Sequence, residues 1–86
     1  MVRRDDMTIG KAVAFRIEEL CRERDITLNM LGTISGVTQS TLNNIVSEVS
    51  KNPTVSTVKK ICDGLNITIV QFFDVPLFMD LEQEIE

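Results

Sequence analysis

Apolar residues recur at intervals of three and four along most of this chain. From Ile9 the set Ile9, Val13, Ile17, Leu20 and Cys21 marks one side of a helix, with Arg16, Glu19, Arg22 and Glu23 among the polar positions between them. The spacing predicts a first helix over about residues 9–24, with Thr8 as its N-cap. Thr27 precedes a shorter set, Leu28, Leu31 and Ile34. That second helix must stop near Gly36, because a residue without a β-carbon turns left-handed without steric cost. Thr38 opens a third segment, about residues 38–47, in which Leu42, Ile45, Val46 and Val49 fall at i, i+3, i+4 and i+7. The helical repeat sets Ser40, Asn43, Asn44 and Ser47 on the opposite side, with Gln39 at the exposed first turn.

Lys51, Asn52 and Pro53 read as a loop, after which Thr54 caps a fourth helix whose Val55, Val58, Ile61, Cys62 and Leu65 are expected to face inward. Asn66 is placed to end it in a left-handed conformation. Thr68 and Gln71 have capping-box spacing, so residues 69–73 read as a short fifth helix that delivers Phe72 and Phe73 to the core. Pro76 can open one more turn or two, with Leu77, Leu81 and Ile85 on a shared stripe. No segment shows sustained period-two alternation bounded by turns. The expected fold is all-α, in two parts: a body over residues 8–74 and a short acidic C-terminal tail over residues 75–86.

Residues 27–47, TLNMLGTISGVTQSTLNNIVS, contain no charged side chain, although 26% of the whole chain is charged. Their polar members are hydroxyls and amides, the groups that hydrogen-bond base edges and phosphates. The polar residues recur too often for a membrane span. Exposed helices usually carry Glu and Lys for solubility and propensity, so an uncharged polar front favours a binding face over a merely solvated one.

The net charge of −4 argues against a nucleic-acid partner until its distribution is considered. Residues 74–86 hold Asp74, Asp80, Glu82, Glu84 and Glu86 and no Lys or Arg; the remainder is nearly neutral. Eighty-six residues with 43% hydrophobic content fit one domain, whose core must be mainly aliphatic because there are four Phe and no Trp or Tyr. Cys21 and Cys62, without any histidine, cannot make a usual zinc site and read as reduced core thiols. No Ser, Cys or Thr has an evident base beside it and no glycine-rich phosphate loop is present, so no catalytic residue, metal, cofactor or small-molecule substrate is expected. The N-terminus lacks the apolar run of a secretory signal, and a cytoplasmic protein follows.

Two short helices joined by a glycine-containing turn, the second apolar behind and polar in front, make a helix-turn-helix. The runs GVTQSTLNNI, KNPTVSTVKKICDGL and ITIVQFFD resemble the lambda-repressor-like (Xre-type) DNA-binding domains over about residues 9–74. The resemblance implies a compact five-helix body that presents its third helix to the major groove of a double-stranded DNA operator. It further implies a sequence-specific transcriptional regulator, a repressor by preference. A single module offers few base contacts, so a homodimer on two half-sites about one helical turn apart is expected. Carried over residue by residue, the resemblance puts Gln39, Ser40 and Asn44 at base-contacting positions with Thr38 and Asn43 beside them. It puts Thr27, Lys51 and Asn52 at phosphates, with Thr38 as a further phosphate position. Gln and Asn match adenine N6 and N7, which supports that assignment.

The chain departs from the pattern at four places. Where many relatives pair an arginine late in the first helix with a glutamate near the end of the third, this chain has Cys21 and Val46, for which an apolar contact is expected. Leu28 replaces a glutamine that braces the recognition helix. Glu48 replaces a glycine and Val49 a polar residue, changes that should lower DNA affinity. The competing function is a helix-turn-helix scaffold that binds another protein through its acidic tail or its uncharged face.

Overall fold

Among the described residues five α-helices, α1 (Ile9–Glu23), α2 (Leu28–Ser35), α3 (Gln39–Val46), α4 (Val55–Leu65) and α5 (Ile69–Phe73), are followed by a 3-10 turn at Pro76–Phe78. The structure is a computed structural model that describes residues 7–47 and 52–85; the expectations for Glu48, Val49 and Lys51 lie outside them. No strand occurs among the described residues, and the fold is all-α.

Every α-helix begins with the same device. Thr8, Thr27, Thr38, Thr54 and Thr68 sit in extended backbone, and their hydroxyls accept from the third-residue N–H groups of Lys11, Met30, Thr41, Thr57 and Gln71. Each cap satisfies a donor that the helix cannot satisfy itself, typically stabilising by about 1 kcal/mol. Thr68 and Gln71 complete a reciprocal capping box. Two C-termini turn left-handed at the expected places, Gly36 at φ 69° and Asn66 at φ 59°. Asp25, at φ 53°, makes a third such turn after α1 that the hydrophobic spacing did not reveal.

The core gathers Val13, Ile17 and Leu20 of α1, Leu31 of α2, Leu42 and Ile45 of α3, Val58 and Ile61 of α4 and Phe72 of α5. Here α2 lies against both α3 and α4. The α4 contact is close: a β-carbon on Gly64 would stand 2.8 Å from the Ser35 β-carbon. Cys21 and Cys62 are buried and free, and burial pushes both thiols upward in pKa. Cys21 belongs to the buried cluster and Val46 packs against it.

Four expectations need correction. Arg16 is buried, with its guanidinium turned onto the carbonyl end of α5. Val55 is 78% exposed rather than inward, since it occupies the first position of α4 beyond the reach of the core. Ile34 is about half exposed, leaving Leu31 as the deep anchor of α2. After Pro76 the chain makes one 3-10 turn and no continued helix, so Leu77, Leu81 and Ile85 form no stripe and Ile85 is exposed. Contacts with the body hold the tail instead: Phe78 packs on the core beside Phe73, and the Glu82 N–H donates to the Met7 carbonyl at 2.9 Å.

Candidate nucleic-acid interface

The turn between α2 and α3 takes three residues. Gly36 reverses the chain, the Val37 N–H donates to the Gly32 carbonyl at 3.1 Å, and Val37 plugs into the core. Thr38 then starts α3. Its hydroxyl accepts from the Thr41 N–H at 3.1 Å and donates to the Thr41 hydroxyl at 2.8 Å, so its one proton is committed within the cap. Leu42 and Ile45 fasten the back of α3 to the core. The side chains of Gln39, Ser40, Asn43, Asn44 and Ser47 all project into solvent.

Within that front, Gln39 Nε2 donates to Asn43 Oδ1 at 3.1 Å, one helical turn away. The Ser47 hydroxyl folds back to the Asn44 carbonyl at 3.4 Å, tightening the end of the helix. The first-turn N–H groups of a helix other than the one the cap takes remain available to an external acceptor, and the helix dipole favours an anion there.

Beside Gln39 a small cleft opens between α2 and α3, lined by Asn29, Gly32, Thr33, Val37 and Gln39. Gly32 sets its width, because a β-carbon there would stand 2.8 Å from the Val37 carbonyl oxygen. Asn29 and Thr33 are exposed at the rim, with the Thr33 hydroxyl donating to the Asn29 carbonyl at 3.2 Å. Sequence reasoning passed over both; their membership of the charge-free run was the available signal.

Of the phosphate positions, Thr27 caps α2 and is exposed. Asn52 is exposed overall, but its amide oxygen rests on the start of α1, where a β-carbon on Gly10 would collide with it. Gln39, Ser40, Asn43 and Asn44 therefore share one helix front, with Thr27 and Asn52 on separate elements. Among the described residues no group of three His, Cys, Asp or Glu could hold a metal ion, and no helix is long and apolar enough to cross a membrane.

Comparison with known proteins agrees with this geometry. Residues 17–72 match the family described as Helix-turn-helix. The chain is 31% identical over 58 residues to the SPbeta prophage-derived uncharacterized HTH-type transcriptional regulator YopS of Bacillus subtilis (strain 168), a match spanning 67% of this chain and 78% of that protein. It is also similar to the crystal structure of the prophage Lp1 protein 11. That match has 35% sequence identity and a TM-score of 0.77, and covers 87% of this chain and 99% of the other.

Proposed function

We propose that this chain, which belongs to the Xre/lambda-repressor-like helix-turn-helix family of transcriptional regulators, represses transcription by seating α3 in the major groove of a specific operator. The observation that carries the reading is the front of α3. Five hydroxyl and amide side chains stand in solvent on a helix whose other side is locked into the core. Such a front offers donors and acceptors to base edges without the desolvation cost of a charge.

In this reading Gln39, Ser40, Asn43 and Asn44 contact bases. The N-termini of α2 and α3, at Thr27 and Thr38, lie against phosphates, joined by Lys51 and Asn52 from the loop before α4. Thr38 would contribute through backbone N–H groups, since its hydroxyl proton is already donated to Thr41. Two copies would bind half-sites roughly 34–36 Å apart. Val70 and Met79, both highly exposed apolar residues, support a dimer surface near α5 and the following turn.

The test is enrichment of a binding sequence from random double-stranded DNA, followed by titration of that site at low and moderate salt. Gln39→Ala and Asn44→Ala are each expected to weaken it by roughly 1–3 kcal/mol while leaving nonspecific binding unchanged. Absence of binding at low salt would overturn the operator reading and leave the scaffold function in its place.

A further inference from the structure

The acidic C-terminal tail is fastened to the body close to the proposed DNA face. Phe78 seats it edge-on against Phe73, with ring centroids 4.8 Å apart, and the Glu82 N–H then donates to the Met7 carbonyl at 2.9 Å. Met7 stands three residues before Gly10, so their α-carbons are at most about 11 Å apart. Gly10 is in turn the residue on which the Asn52 amide oxygen rests. Met7, Thr8 and Gly10 also line one hollow together with Asn52 and with Ser47, the C-cap of α3. The tail is therefore pinned one short step of chain away from a residue proposed to face phosphate. Asp80 and Glu84 are exposed on either side of Glu82, and no Lys or Arg occurs from Asp74 onward.

The geometry points to a built-in brake on DNA binding: the pinned carboxylates of Asp80, Glu82 and Glu84 repel the backbone phosphates beside Asn52 and hold operator affinity below what the helix-turn-helix alone would give. Reach agrees. At an ionic strength of about 0.01 M the Debye length is roughly 30 Å, which spans the gap from the tail to a phosphate at Asn52. At about 0.15 M it falls to roughly 8 Å, and most of the repulsion is screened. The tail is held by an aromatic ring and a backbone N–H, neither of which uses an acidic side chain. Neutralising the acids thus leaves the tail where it is. Pinning matters as much as charge, because a tail released from the body would be pushed aside by the approaching duplex instead of standing in its way.

This brake rests on the operator reading and adds a control to it. DNA affinity is compared at the two ionic strengths for the wild type, for the triple variant Asp80→Asn, Glu82→Gln, Glu84→Gln and for Phe78→Ala, with circular dichroism to confirm the helical fold. The triple variant is expected to bind roughly 3- to 10-fold more tightly than the wild type at low salt and nearly equally at the higher salt, with the same preferred sequence. Phe78→Ala keeps every charge and frees the tail, so it should recover part of that gain; Phe78 packs on the buried cluster from outside, which leaves the core itself intact. Equal affinity of wild type and triple variant at low salt would overturn the brake while leaving DNA binding in place. A gain in the triple variant with none in a folded Phe78→Ala would also overturn it, since net charge rather than a pinned tail would then account for the effect. No binding by any of the three at low salt would overturn both readings.

Discussion

Arg16 of α1 donates from Nε to the carbonyl of Phe72 in α5 at 2.7 Å, across 56 positions of sequence. Its Nη2 donates to the Gln71 carbonyl at 2.9 Å and its Nη1 to Glu19 Oε1 at 2.7 Å. The guanidinium thereby satisfies the open carbonyl end of a five-residue helix that is too short to be stable alone. A planar fork with five donors suits this task; a lysine ammonium does not.

Arg16→Ala should therefore cost about 2–4 kcal/mol, because it leaves two inward carbonyls without a charged donor. Glu19→Gln should change stability by less than about 1 kcal/mol, since Glu19 is 44% exposed and its ion pair is screened. Urea unfolding of the two variants separates these contributions. Equal losses would mean that the ion pair, rather than the α5 carbonyls, holds Arg16 in place.

The left-handed turns at Gly36 and Asn66 give a second expectation. A β-carbon at Gly36 would meet nothing within 4 Å, so Gly36→Ala exposes the backbone penalty without a clash. Its cost should be roughly 1–2 kcal/mol. Asn66→Gly should be neutral or slightly stabilising, whereas Asn66→Val should destabilise, because a β-branched residue tolerates positive φ poorly. Thermal midpoints of the three variants check the order.

In the proposed reading Thr38 links stability to recognition. Thr38→Ala removes the α3 cap, at a cost of about 1 kcal/mol, and frays the turn that carries Gln39 and Ser40. DNA affinity should fall at temperatures where the protein is still folded. Thr38→Ser keeps the hydroxyl and should retain both properties. If Thr38→Ala lowers the thermal midpoint without weakening DNA, order at the start of α3 is not required for binding.

The thiols set an alkaline limit. Burial is the main cause that pushes Cys21 and Cys62 up; Glu18 beside Cys21 and Asp63 beside Cys62 add to it. Because the folded state holds these protons more tightly than the unfolded chain, stability is unaffected below the ordinary thiol range. It is lost as pH rises through that range toward the raised folded values. Urea midpoints should fall in this window, less steeply in Cys62→Ala, and Ellman's reagent should react with both thiols slowly until the protein is unfolded. Fast reaction of the native protein would contradict their burial.

The local features of this molecule were legible in its sequence because they depend on short-range chemistry. Threonine before an apolar set offers a hydroxyl to a helix start, and glycine or asparagine after one permits a left-handed exit. These rules located the helices and the outward side of α3 without reference to any distant residue. The tertiary structure decided what depends on partners far away in the chain. Arg16 sits at a position that looks solvent-facing in α1, and only the approach of α5 supplies the carbonyls that justify its burial. Val55 satisfies the helical spacing of α4 but lies at its first turn, where it stays 78% exposed. The acidic tail has apolar residues at helical spacing, yet Phe78 docking on the core and the Glu82–Met7 hydrogen bond hold it after a single 3-10 turn. Periodicity states which side of a helix is apolar; whether that side finds something to bury against is settled only when the helices meet.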